Sequence, residues 1–217
     1  MIKIIVVDDH DLVRMGIARM LSDIEGFMVV GEAKSGEDAL KLVNKTRPHI
    51  VLMDVKMPGM GGIEATKKLL ALDNDIRVIA VTSCDDDIYP TRLIQAGAMG
   101  YITKGAAPAE MISAIKTVMD GKPFMSSEIA QQLALKSSGG MAREVSPFEQ
   151  LSERELQTAM MIVQGEKVTS IADTFCVSPK TINSYRYRIF EKLSVNSDVE
   201  LAILAVKHKM FDVDAMH

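Results

Sequence analysis

The sequence predicts an α/β domain built on a doubly wound, five-stranded parallel sheet over residues 1–122, followed by a small all-α domain over residues 148–217. Three observations carry this. Short continuous apolar runs alternate with amphipathic helical stretches throughout the first part, the signature of a parallel sheet covered on both faces. Strand-like runs cease after residue 147. In between, Ser137-Ser138-Gly139-Gly140 and Ser146-Pro147 have the composition of a flexible connector, so residues 123–147 read as a helix and linker.

Ile2 to Val7 is an apolar run that ends in Asp8-Asp9. Leu12, Val13, Ile17, Met20, Leu21 and Ile24 follow at helical spacing. Phe27 to Val30 is rich in strand formers, and Ala39, Leu40 and Val43 mark a short helix that ends before Pro48. Ile50 to Met53 is a buried-type strand ending at Asp54, followed by a helix carrying Ile63, Thr66, Leu69 and Leu70. Ile76 to Val81 ends at Thr82, and a helix is expected from about Ile88 to Ala96. Met99 to Thr103 is closed by Lys104, and Met111, Ile112, Ile115 and Val118 form the last helix face of the domain. A further helix is expected from Ser126 to about Lys136.

In the second part, Ser152 with Glu155 three residues on forms a capping box for a helix that stops at Gly165. A second helix covers about Val168 to Phe175. Ser178 then serves as an N-cap and Pro179 suits the first turn of a third helix, which runs to about Leu193. A fourth spans about Asp198 to His208. A short helix, a turn and a longer basic helix make a helix-turn-helix.

Composition excludes several classes. The 217 residues are 47% hydrophobic and 25% charged, as in an ordinary globular protein, and no apolar run approaches the roughly 18 residues of a membrane span. The acidic start argues against export, and the two cysteines, Cys84 and Cys176, sit in no metal or redox motif; both point to a cytoplasmic protein with no membrane partner. The net charge of −4 hides a basic stretch of Lys180, Arg186, Arg188 and Lys192 against the single acid Glu191, enough for contact with double-stranded DNA.

Asp8, Asp9, Asp54, Thr82 and Lys104 all terminate predicted parallel strands. Any one alone is ordinary turn chemistry; together they converge on the edge where open α/β sheets bind ligands. Three neighbouring carboxylates need a cation, and an all-oxygen donor set favours Mg²⁺. Asp54 is then a nucleophile toward phosphorus, with Lys104 as a point charge and Thr82 as a hydroxyl donor for the phosphoryl oxygens.

The motifs Val6-Val7-Asp8-Asp9-His10, Leu52-Met53-Asp54-Val55-Lys56-Met57-Pro58-Gly59, Val81-Thr82-Ser83 and Gly100-Tyr101-Ile102-Thr103-Lys104 resemble the flavodoxin-like receiver domain of two-component response regulators. The resemblance implies that Asp54 is the phosphoacceptor and that Asp9, Asp54 and the Lys56 main-chain carbonyl bind Mg²⁺ directly, with Asp8 acting through water. It implies that Tyr101 moves inward as Thr82 swings toward the phosphoryl group, and that a sensor histidine kinase or histidine phosphotransfer domain is the donor. Gly105 stands where receivers often carry Pro.

From Leu151 onward the chain resembles the LuxR-type helix-turn-helix of the NarL/FixJ regulators, and Ser184-Tyr185-Arg186-Tyr187-Arg188-Ile189-Phe190-Glu191-Lys192-Leu193 resembles the GacA/UvrY/LetA-type group. That group implies promoters of small regulatory RNAs as targets. On the helix from Pro179, Asn183 is expected to read adenine and Arg186 to read guanine or hold phosphate. Lys180, Arg188 and Lys192 are expected to grip phosphates, with Thr181, Ser184 and Tyr187 on the same surface. The apolar run Val199 to Val206 exceeds what a capping helix needs, and a homodimer is expected. Two alternatives fit the residues less well. A dehalogenase-like phosphatase needs an acid two residues after its nucleophile, where this chain has Lys56, so no enzyme is predicted. A receiver acting only through protein contacts would lack the basic helix.

Overall fold

Continuous runs of β-branched residues require burial on both faces, and the chain supplies it with helices between successive strands. The computed structural model describes residues 1–57, 59–82, 89–127, 129–131, 146–208 and 210. The chain folds as two compact units, residues 1–140 and 141–217.

In the first unit the elements are β1 (Ile2–Val7), α1 (Asp11–Ser22), β2 (Phe27–Ala33), α2 (Gly36–Thr46), β3 (Ile50–Asp54), α3 (Gly61–Leu72), β4 (Arg77–Thr82), α4 (Tyr89–Gln95), β5 (Gly100–Thr103), α5 (Pro108–Met119) and β6 (Phe124–Met125). The sheet order is β2-β1-β3-β4-β5-β6, and every pairing is parallel. Alternate strand residues face opposite cores, as the pleat demands. Ile4, Val6, Ile50, Leu52, Ile79, Val81 and Ile102 pack with Ile17, Ala18 and Leu21 of α1 and Met111, Ala114, Ile115 and Val118 of α5. Ile5, Val7, Val51, Met53 and Val78 pack with Ala39 and Val43 of α2 and Ala65 and Leu69 of α3.

The five-stranded expectation needs one correction. Phe124–Met125 is a sixth strand, within a segment read as helix and linker. The Phe124 N–H donates to the Met99 carbonyl (2.9 Å) and the Ser126 N–H to the Tyr101 carbonyl (3.0 Å). Two residues after a proline are too few to register as an apolar run; the open edge of β5 supplies what the sequence pattern lacks. β2 also extends three residues past its expected end, to Ala33. Of the helix expected from Ser126 to about Lys136, Ser126 is not helical and residues 127 and 129–131 are; residues 128 and 132–136 lie outside the described residues, as do residues 137–140 of the linker. The helix expected from about Ile88 is α4; Ile88 itself also lies outside them.

The second unit starts with a 3₁₀ turn (Pro147–Gln150), followed by α6 (Glu153–Val163), α7 (Val168–Phe175), α8 (Pro179–Leu193) and α9 (Asp198–Lys207). The expected capping box is present: the Ser152 hydroxyl accepts from the Glu155 N–H (3.4 Å), and the Glu155 carboxylate accepts from the Ser152 N–H (2.8 Å). Ser178 caps α8 with Pro179 in its first turn. Phe148, Leu156, Ile171, Phe175, Ile182, Ile189, Leu193 and Leu201 are all buried and form the core of this unit. Leu201 and Ala205 turn inward from α9, while Val199, Ile203 and Val206 are 69%, 64% and 42% exposed, so α9 has an apolar outer stripe. No helix among the described residues is long and apolar enough to cross a membrane.

Candidate functional site

β1 has β2 on one side and β3 on the other, so the winding direction reverses between β1 and β3. Asp8 and Asp9 follow β1 and Asp54 ends β3, which places all three carboxylates at the switch point. Asp8 and Asp54 are each only 1% exposed. Oxygens of Asp8, Asp9 and Asp54 and a ring nitrogen of His10 lie within 4.8 Å of one another. His10 was part of the motif but not of the expected ligand set; its Nδ1 is 3.0 Å from Asp9 Oδ1 and 3.3 Å from Asp8 Oδ1.

Lys104 arrives from the end of β5. Its Nζ lies 2.8 Å from Asp8 Oδ2 and 2.9 Å from Asp54 Oδ2, a bridge between the two buried carboxylates. The Lys104 N–H donates to the Thr82 carbonyl, which closes β5 against β4 at this edge. Thr82 is buried and lies in register with Thr103; Tyr101, on the same face of β5, is buried as well. The Lys56 N–H donates to Asp54 Oδ1 (3.3 Å), and its ammonium lies 5.9 Å from the Tyr89 ring centroid.

Burial pushes the Asp54 carboxyl up, and the Asp8 charge adds to that. The Lys104 hydrogen bond and charge and the Lys56 N–H offset part of it, leaving Asp54 at about 6 against an ordinary 3.8. Burial alone would lower Lys104, but the hydrogen bonds and charges of Asp8 and Asp54 outweigh it and hold the ammonium above its usual range. Three carboxylates around one lysine are a group that could hold a metal ion.

Three supports of this site were not anticipated. Arg14 is buried on α1, and its Nη1 donates to the Asp8 carbonyl at 2.8 Å. The same guanidinium contacts the Asp11 carboxylate and lies 3.4 Å from Glu32 Oε2, tying the β1–α1 turn to β2. Glu37 accepts from the Met60 N–H at 2.9 Å, bracing the loop after Asp54 from α2. Gly62 sits with its Cα directly behind Asp54: a Cβ there would lie 2.1 Å from the Asp54 carbonyl oxygen. An arginine inside an apolar helix face was the one available signal; the glycine and glutamate had none.

In the second unit the face of α8 opposite Ile182 and Ile189 carries exposed Lys180, Asn183, Ser184, Tyr187 and Arg188, with Thr181 partly covered. Tyr187 is 82% exposed. Lys180 and Arg188 make no ion pair among the described residues. Two of the expected DNA contacts are engaged elsewhere. The Lys192 ammonium lies 2.6 Å from Glu155 Oε2 and 3.4 Å from the Gln150 carbonyl, so it also serves the buried end of the capping box. The Arg186 guanidinium is closed on Asp198. Both pairs have one cause: a carboxylate fixed at a helix N-terminus sits within reach of the basic helix.

Burial would raise the Glu155 carboxyl, but Lys192 and the Ser152 N–H and hydroxyl more than offset it and hold it below its usual range. Glu155 is therefore a stabilising charge above the unfolded carboxyl range, and that contribution is lost as the pH falls through its lowered value. Lys192→Met leaves the Glu155 side chain, only 4% exposed, without its cation. The expected result is a loss of about 3 kcal/mol in the unfolding of this unit, with a flatter acid limb. Unchanged denaturant unfolding together with weakened DNA binding would return Lys192 to the phosphate-gripping role.

Family models match both units. That of the response regulator receiver domain matches residues 4–116, and that of the bacterial regulatory proteins of the luxR family matches residues 149–205. The chain belongs to the two-component response regulators. The regulator is 62% identical over 212 residues to the response regulator GacA of Pseudomonas aeruginosa, covering 98% of this chain and 99% of that one. It is 48% identical over 216 residues to the response regulator UvrY of Escherichia coli, covering 100% and 99%. Among solved structures it resembles RcsB of Salmonella enterica serovar Typhimurium bound to the promoter rprA in the presence of the phosphomimetic BeF3⁻. That match has a TM-score of 0.65 at 25% identity and covers 95% of this chain and 99% of that one. The regulator thus has a receiver domain and a LuxR-type DNA-binding domain, a non-enzymatic kind of protein, and the resemblance drawn from its motifs is borne out.

Proposed function

We propose that a histidine kinase or histidine phosphotransfer domain phosphorylates Asp54, and that this switches binding of α8 to DNA. The observation that carries the reading is Asp54 buried at the switch point, 2.9 Å from Lys104 and grouped with Asp8 and Asp9. The donor set fits a hard divalent cation: three carboxylates converge, and they bring a net charge that Lys104 alone does not balance. Asp9, Asp54 and the Lys56 carbonyl would hold Mg²⁺, with Asp8 beyond them through water. Bound there, Mg²⁺ supplies charge neutralisation for both the carboxylates and the incoming phosphoryl oxygens.

The residues then act as follows. An Asp54 carboxylate oxygen forms the new P–O bond as the P–N bond to the donor imidazole breaks, and the nitrogen keeps the electron pair. Lys104 transfers its contact from Asp54 to a phosphoryl oxygen. Thr82 hydrogen-bonds another, and Tyr101 on the neighbouring strand responds. The phosphoryl group adds roughly two negative charges beside Thr82 and biases Thr82 and Tyr101 toward a second arrangement.

The boundaries that suit this reading are a receiver over 1–122, a connector over 123–147 and a DNA-binding domain over 148–217. The change at Asp54 frees the recognition helix α8, promotes a homodimer, or both, and the exposed stripe of Val199, Ile203 and Val206 on α9 suits a dimer seam. A cytoplasmic location and promoters of small regulatory RNAs as targets complete the reading. Gel-shift and sedimentation with and without acetyl phosphate, at stated salt, test it. Phosphorylation is expected to tighten DNA binding and raise the dimer fraction; no protected site in footprinting under either condition would favour a receiver that acts by protein contact alone.

A further inference from the structure

The basic face of α8 contains a cation that is already paired within the unit. Arg186 Nε donates to Asp198 Oδ1 at 2.8 Å and Nη2 donates to Asp198 Oδ2 at 2.7 Å, a two-pronged pair that occupies the planar donor edge of the guanidinium. That edge is one of the two forks with which a guanidinium can straddle a phosphate; the Nη1 end makes no hydrogen bond among the described residues. The guanidinium carbon also lies 5.2 Å from the Phe190 ring centroid, so one face of the group is covered. Asp198 is the first residue of α9, where the helix N-terminus favours a carboxylate, and Ser197 caps that turn by accepting from the Glu200 N–H. Its carboxylate therefore hangs on a short, anchored lever. Lys180 and Arg188, on the exposed face of the same helix, have no acid partner among the described residues.

We infer that Asp198 is a specificity-determining residue of the DNA interface, because it removes Arg186 from the phosphate-binding charge of the recognition helix. The inference rests on α8 being the DNA-reading helix. Phosphate contacts add affinity for any duplex and carry no sequence information. Neutralising Arg186 leaves Lys180 and Arg188 to hold the backbone and Asn183 to read base edges. Binding to arbitrary DNA is weakened more than binding to the operator. In the same way the pair ties α8 to α9, so the reading helix is held by a contact that DNA does not have to supply.

A charge cycle on the full chain tests this. Binding of an arbitrary-sequence duplex is followed by fluorescence anisotropy over a salt series, with and without acetyl phosphate and Mg²⁺, for the wild type, Asp198→Asn, Arg186→Ala and the double variant. Arg186→Ala is expected to leave the slope of log K against log salt unchanged. Asp198→Asn is expected to steepen it by about 0.9, one added phosphate contact, and the double variant to return it to the wild-type value. Arg186→Gln repeats the cycle if the alanine variant loses its helical circular dichroism. A slope made shallower by about 0.9 in Arg186→Ala, with Asp198→Asn unchanged, would overturn the inference, since Arg186 would then leave Asp198 for a phosphate. If no variant and not the wild type binds duplex in either condition, the DNA-binding reading falls, and this inference with it.

Discussion

Asp54→Asn protein incubated with acetyl phosphate and Mg²⁺ is expected to take up no phosphoryl group, while the wild type is labelled at close to one per chain. An amide lacks the anionic oxygen that attacks phosphorus; Asp8 shares the burial and the Lys104 contact, so labelling that moved to Asp8 would show in the same measurement. Mass spectrometry of the intact protein reads the outcome directly, and full labelling of the variant would sink the acceptor assignment. The same variant carries a second expectation of opposite sign. Asp54 is raised from 3.8 to about 6 in the folded protein. A raised carboxyl gives stability that is complete below its unfolded value and is lost as the pH rises through its folded one. In chelator at pH well above 6, the wild type therefore carries an ionised Asp54 at a cost that Asn avoids. The variant should be more stable there by up to about 3 kcal/mol, with the gap closing as the pH falls toward 4. Excess Mg²⁺ should reverse the order, because binding to the folded state stabilises only the chain that keeps its ligand. Equal stability of the two proteins at every pH in chelator would mean that the buried carboxylates are not in conflict.

Gly62→Ala is expected to be the most damaging conservative change in the receiver unit. The added Cβ would lie 2.1 Å from the Asp54 carbonyl oxygen and 2.9 Å from the Val55 Cα. Both are backbone atoms at the end of a central strand, so no side chain can swing away. The backbone of β3 or the start of α3 must move, and overpacking of this kind costs roughly 3 kcal/mol, a fall of about 10 °C in the unfolding temperature. The displacement falls on Asp54 itself, so phosphorylation by acetyl phosphate should slow even below the melting transition. A variant with wild-type unfolding and wild-type labelling would show that β3 and α3 can separate freely. By comparison, a Cβ at Gly105 meets nothing within 4 Å, and Gly105→Ala serves as the control.

The period of the apolar residues was enough to place β1, α1, β3, β4 and α5, because a strand buried on both faces has almost no alternative composition. It was also enough to send Asp8, Asp9, Asp54, Thr82 and Lys104 to one edge, since residues that end parallel strands share that edge wherever the strands lie in the sheet. The capping box at Ser152 and the cap at Ser178 were legible because both are local, closing within three residues. The two-residue β6 was not, because a strand that short exists only by virtue of the edge beside it. Tertiary structure alone decided what the cations do. Lys104 bridges Asp8 to Asp54, Lys192 serves Glu155, Arg186 is closed by Asp198 and Arg14 holds the Asp8 carbonyl. Charge leaves no periodic trace in a sequence, and a long basic side chain takes whichever buried carboxylate or carbonyl the fold brings within reach. The chain by itself determined which residues would meet at the acidic edge and on the basic helix; only the packing of the elements against one another determined which of those charges are paired within the fold.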